Sequence, residues 1–155
     1  MVHLTFTSLC LMVLTILYAA KKVITGEKED SIDCISACYY VTGKWFTIPF
    51  VAAILLLLVP VMEAWGSIVT LLMIFCMLLV GFSPDYKDDN NRDVHVCGAC
   101  FSMFISVIYV LHVEPLMLVW YAVALIGIMQ RDKWLLWCEV ACFISVYITT
   151  LIAVA

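Results

Sequence analysis

Apolar residues in this chain come in unbroken runs, with little strict alternation. The runs fall at residues 4–20, 45–62, 65–82, 94–112, 116–129 and 134–155. A helix rises ~1.5 Å per residue and needs ~20 apolar residues to cross ~30 Å of hydrocarbon. Strands of a membrane barrel would instead give alternating segments of about ten residues. The pattern therefore predicts an all-α, polytopic membrane bundle of six transmembrane helices in a single domain over 1–155. The fifth run is short and must lie deep among its neighbours or borrow flanking residues. The first run is followed, not preceded, by Lys21 and Lys22 and lacks a small-x-small cleavage pattern, so it is expected to persist as a span.

The polar gaps orient the runs. The basic residues are Lys21, Lys22, Lys28, Lys44, Lys87, Arg92, Arg131 and Lys133, and every one falls in the first, third or fifth gap. Cytoplasmic loops collect lysine and arginine, which predicts cytoplasmic odd loops, both termini outside, and residence in a bacterial inner membrane. Glu63 with Ala64, and Val113 with Glu114 ahead of Pro115, are expected to form tight connections. Trp45, Trp134 and Trp137 mark the inner interface; Trp65 and Trp120 lie towards the outer one. In the first gap Ser31 can cap a short interfacial helix carrying Ile32, Ile35 and Tyr39 on its apolar side and Ser31, Asp33 and Ser36 on its polar side.

Composition removes whole classes of function. The 155 residues are 66% hydrophobic and 13% charged, with mean hydropathy +1.12, more apolar surface than a soluble domain of this size can cover. A net charge of −4 without a basic patch predicts no nucleic-acid partner. No phosphate-binding glycine loop, nucleophile elbow or HExxH motif is present.

Candidate chemistry concentrates in residues 80–100. Gly81 is placed to end the third span, with Pro84 beyond it. Asp93 can cap the fourth, which puts His95 in its first turn, where the helix dipole disfavours added positive charge. At about 100° per residue, His95, Gly98, Ala99, Ser102, Ser106 and Tyr109 share one stripe. The stripe either packs closely against another helix or lines a cavity whose cytoplasmic end holds His95, Asp85 and Tyr86. Glu139 lies ~7.5 Å into the last run at 1.5 Å per residue, so it is protonated, paired with a base such as Lys133, facing a wet cavity, or snorkelling. Of eight cysteines, six form close pairs: Cys34 with Cys38, Cys97 with Cys100, and Cys138 with Cys142. Packing is their default role. Cys97 and Cys100 point away from His95, so no confident cofactor is expected and zinc is only a minor alternative.

The run Gly81-x-x-Pro84-Asp85-Tyr86-Lys87 with His95-x-x-Gly98-Ala99, together with the segment from Ser31 to Tyr39-Tyr40 before Trp45-Phe46-Thr47, resembles uncharacterised six-span membrane proteins of gut bacteria and their phages. That resemblance implies the six-span fold and brings no activity with it. Ser31 or Ser36, Asp85 or Asp93, and His95 more loosely resemble the serine, aspartate and histidine of alkaline ceramidase-type membrane hydrolases, which implies a zinc site. The HxxxH pair of that family is missing, because position 99 is Ala99, and His112 lies ~25 Å along the helix from His95 at 1.5 Å per residue.

The expected function is binding, without catalysis, of a membrane lipid, another amphipathic ligand or a partner through the cytoplasmic half of the bundle. His95, Ser102, Ser106, Tyr109, Asp85, Tyr86 and Glu139 are the candidate site. The alternative is a metal-dependent lipid hydrolase centred on His95. A third reading is a transporter or pore, for which so short a chain would form a homo-oligomer.

Overall fold

Residues three and four apart on a helix share a face, and the first run uses this to meet its neighbours. The computed structural model describes residues 1–27, 32–129 and 133–155. In it, α1 (Val2–Ile24) buries Thr5, Ser8, Met12, Thr15 and Ala19 on one stripe and leaves Phe6, Leu14 and Leu17 exposed. The chain then forms a 3-10 turn (Ile35–Ala37) running into α2 (Cys38–Thr42). Gly43, at φ +61°, makes the bend into α3 (Lys44–Ala64), a backbone conformation that glycine adopts without steric cost. Pro49 and Pro60 lie inside α3, and each removes one ladder donor, a loss that apolar membrane helices tolerate among neighbours. Ser67 accepts the Thr70 N–H at 3.3 Å and starts α4 (Ile68–Phe82). After α5 (Asp89–Val113), Pro115 opens a second 3-10 stretch, Pro115–Tyr121. That stretch leads into α6 (Ala122–Met129), and α7 (Trp134–Val154) completes the chain.

The helices close into a ring. α1 packs on α3, α3 on α4 and α4 on α5, while α7 touches α1, α3, α5 and α6. Polar side chains deep in the ring find partners within it. Ser8 donates to the Ala53 carbonyl and accepts from the Tyr147 hydroxyl, both at 2.6 Å, joining α1, α3 and α7. Such bonds between membrane helices contribute only ~0.6 kcal/mol each, so close packing carries most of the association. Gly98 is an instance: a Cβ there would stand 2.9 Å from the Cys76 carbonyl oxygen and 3.1 Å from the Leu79 Cβ.

Every described element is helical. Val2–Ile24, Lys44–Ala64, Asp89–Val113 and Trp134–Val154 are long and apolar enough to cross a membrane; the apolar Ile68–Phe82 is shorter, at 15 residues. The run expected at 116–129 is divided between the 3-10 stretch and the eight-residue α6.

Four local expectations are corrected or fall outside these residues. Asp93 does not cap α5. The helix begins at Asp89, because no proline or glycine bars it there and the Asp88 carbonyl already accepts the Asn91 and Arg92 N–H groups; His95 consequently lies in the second turn. Gly81 does not end α4, which runs to Phe82 with Ser83 as its C-cap. Gly81 instead allows close approach to α3, since its Cβ would meet the Val51 Cγ2 at 2.8 Å. Ser36 is not on a solvated side: it is 3% exposed, in a segment that buries Cys34, Ile35, Ala37, Cys38, Val41 and Thr42. The expected cap at Ser31 lies outside the described residues.

Candidate functional site

α1 and α4 finish, and α3, α5 and α7 start, at the same end of the ring. The segment 32–42 is tucked into this end, with α2 against α1 and α3 and the 3-10 turn against α7. It brings backbone and side-chain polar groups to Glu139 and His95, two ionisable residues within the apolar runs. The Glu139 carboxylate accepts the Ile35 N–H at 2.5 Å. His95 lies between two serines, with Nδ1 2.7 Å from the Ser83 carbonyl oxygen and Nε2 3.1 Å from the Ser36 Oγ.

The hydrogen positions follow from the one partner that can only accept. A carbonyl has no proton, so His95 Nδ1–H donates to Ser83, and the neutral ring offers Nε2 as an acceptor for the Ser36 hydroxyl. Ser36 Oγ in turn lies 3.3 Å from the Cys34 Sγ, which lies 3.5 Å from the Tyr86 hydroxyl. One directed chain results: Tyr86 O–H to Cys34, Cys34 S–H to Ser36, Ser36 O–H to His95, His95 N–H to Ser83. Burial is the first cause that pushes the Cys34 thiol up, followed by the Glu139 charge. Burial likewise raises the Tyr86 phenol. Both groups therefore keep the protons that this chain needs. The Tyr86 ring also packs against His95, centroids 5.0 Å apart.

Beside the chain lies a cavity of about 220 Å³ bounded by Cys34, Ser36, Tyr86, His95, Ala99, Leu135 and Glu139. The exposed Val96, Cys100 and Trp134 also line it, so it opens sideways between α5 at Val96 and Cys100 and the first turn of α7. A smaller void of about 30 Å³, lined by Ser102, Phe50, Met77 and Cys142, meets it at Ala99 and Glu139.

His95, Tyr86 and Glu139, expected at a site, therefore share one cavity, and Ser102 lines the adjoining void. Gly98, Ser106 and Tyr109 are buried with them on the α5 stripe, and Ala99 is half-buried. Ser106 and Tyr109 sit deeper and are engaged elsewhere: Ser106 accepts from the Tyr121 hydroxyl, and Tyr109 pairs with Thr150, both at 2.9 Å. Asp85 lies off the cavity, accepting the Tyr40 hydroxyl at 2.9 Å, and Lys87 donates its N–H to the same hydroxyl at 2.7 Å. Ser36, one of the two serines that the looser hydrolase likeness set with His95, is the one that the fold brings to it, whereas Cys34 as the next partner beyond Ser36 was not expected. The signal available for both was the apolar company of Ser36, between Ile35 and Ala37.

Among the described residues no three His, Cys, Asp or Glu side chains gather as a metal-holding group. Both His95 nitrogens have protein partners. All eight cysteines are free thiols, and Cys97 and Cys100 lie exposed on the outer side of α5. His112, at the opposite end, stacks on Trp65 with centroids 4.2 Å apart.

Fold and cavity together define a class, a membrane-type helix bundle with a polar chamber at one end. No protein-family model matches this chain, and no match was found among the curated proteins or the solved structures compared with it.

Proposed function

We propose that this is a small bacterial inner-membrane protein that binds an amphipathic molecule with a hydroxyl-bearing head, such as a single-chain glycerolipid, in the chamber beside His95. The observation that carries this reading is the composition of one cavity. Glu139, Ser36, His95 and Tyr86 supply acceptors and donors within, and Val96, Cys100 and Trp134 form an exposed apolar mouth. A chain lying along that mouth stays in hydrocarbon while its head reaches Glu139, and such a mix of apolar wall and a few placed polar groups is typical of ligand sites. Burying a carboxylate in a membrane bundle is costly and marks a site by default.

In this proposal the chain crosses the membrane six times, with both termini outside, odd loops cytoplasmic, and the segment 32–42 seated at the cytoplasmic face. Support comes from Lys21, Lys22, Lys44, Lys87 and Lys133, which belong to the end of the ring that holds the chamber. α4 spans only ~22 Å at 1.5 Å per residue, so Trp65–Ser67 and Ser83 extend it to the interfaces.

The test uses a photoreactive hexadecylglycerol ether and the purified protein in lipid nanodiscs. Saturable crosslinking to α5 and α7 is expected, displaced by unlabelled hexadecylglycerol and weakened ~10-fold in Glu139→Leu, a loss in the range of one hydrogen bond to a charged group. Crosslinking that does not saturate, or that Glu139→Leu leaves unchanged, would reject the reading.

A further inference from the structure

We propose that Ser36 is a nucleophile and His95 its general base, and that the chamber hydrolyses a carboxylic ester of a single-chain lipid. The inference rests on the binding reading for delivery of the substrate. Its own support is the Ser36–His95 pair. A serine hydroxyl is a weak nucleophile until an adjacent base takes its proton, and that base must be held in one tautomer by a third group. Here Ser36 Oγ is 3.1 Å from His95 Nε2, and the Ser83 carbonyl, 2.7 Å from Nδ1, plays the orienting part. The pair spans 59 positions, so the fold assembles it, and both residues line a cavity that opens to the apolar surface. Cys34 is a poorer nucleophile despite its position, because burial holds its thiol protonated.

The steps balance as an ester plus water giving an acid plus an alcohol. Ser36 Oγ bonds to the ester carbonyl carbon as its proton passes to His95 Nε2. The Tyr86 hydroxyl, in the same cavity wall, turns its O–H from Cys34 to the carbonyl oxygen in this step. The carbon–oxygen bond to the alcohol breaks, and the alcohol leaves with the proton from Nε2. Water then adds to the acyl carbon, gives a proton to Nε2, and releases the fatty acid as Ser36 Oγ recovers its proton.

The experiment treats the purified protein in nanodiscs with a hexadecyl fluorophosphonate and locates the adduct by mass spectrometry of the wild type. A single adduct on Ser36 is expected, forming at least 100-fold more slowly in His95→Gln and absent in Ser36→Ala. No adduct, an adduct on another residue, or an equal rate in His95→Gln overturns the proposal. Crosslinking of the unreactive hexadecylglycerol ether separates the two readings. If it binds the wild type and no adduct forms, the chamber binds without catalysis; if it does not bind, the binding reading has failed as well.

Discussion

The Glu139 carboxylate, within α7, accepts the backbone N–H of Ile35 from the 3-10 turn before α2, across 104 positions of sequence. This bond links the segment 32–42 to the ring and sets Ser36 against His95. Glu139→Gln retains an oxygen that can accept the same N–H, whereas Glu139→Leu leaves a buried donor unpaired, at a cost of ~1–3 kcal/mol. The leucine variant should therefore melt ~2–12 °C below the glutamine variant in detergent, taking ~2–4 °C per kcal/mol. It should also expose Cys34 to alkylation. Equal melting of the two variants would remove Glu139 from this role.

The α4–α5 contact depends on the absence of a side chain at residue 98. A Cβ on Gly98 would press on a backbone oxygen, that of Cys76 at 2.9 Å, and backbone cannot rotate away as a side-chain tip can. Gly98→Ala should cost ~1–3 kcal/mol as overpacking, while Cys97→Ala on the exposed side of the same turn should stay within ~0.5 kcal/mol. Thermal unfolding of the two variants checks this, and equal midpoints would contradict the close-contact account.

What the sequence made legible divides along physical lines. Glu139 and His95 stood out because an ionisable group in an apolar run is expensive, and the fold places both at one cavity. The α5 stripe was readable from its periodicity, since a helix repeats about every 3.6 residues and Gly98, Ser102, Ser106 and Tyr109 are its buried face. Ser36 was misplaced because a polar residue in a loop defaults to the solvated side, and only the packing of the segment 32–42 against α1, α3 and α7 reverses that. The start of α5 was misread for a different reason. Asp88, Asp89 and Asp93 can each cap a helix, and sequence spacing does not choose among them.

Cys38 is fully buried, and its thiol is pushed up to about 12 by burial first, then by the neighbouring Cys34 and Glu139. Against an ordinary value of 9.0, that leaves ~10³-fold less thiolate at neutral pH. Cys38 should therefore alkylate at least ~100-fold more slowly at pH 8 than the exposed Cys97. The folded state keeps this proton to higher pH than the unfolded chain, so the associated stability is complete below pH 9 and is lost as pH rises towards about 12. Cys38→Ala should lose less stability than wild type between pH 8 and 11. Parallel melting curves for the two proteins would place the alkaline loss elsewhere.

The six-crossing arrangement makes a prediction that four crossings do not share in full. With either four or six crossings the two termini lie on one side, so fusions at the ends alone cannot separate them. The connections can. If α4 and the 3-10 stretch with α6 both cross, then Gly66, between α3 and α4, and Glu114, after α5, are outside, while Lys87, between α4 and α5, is inside. If neither crosses, Gly66 and Lys87 share one side. Single cysteines at these three positions in a cysteine-free background should then react with a membrane-impermeant maleimide in intact cells at 66 and 114 but not at 87. The reagent should reach 87 only after permeabilisation. Protection of all three, or labelling of 66 and 87 together, would break the proposed topology. It would also remove the argument that the chamber at His95 faces the cytoplasm, because that argument rests on Lys87 lying inside with Lys21, Lys44 and Lys133.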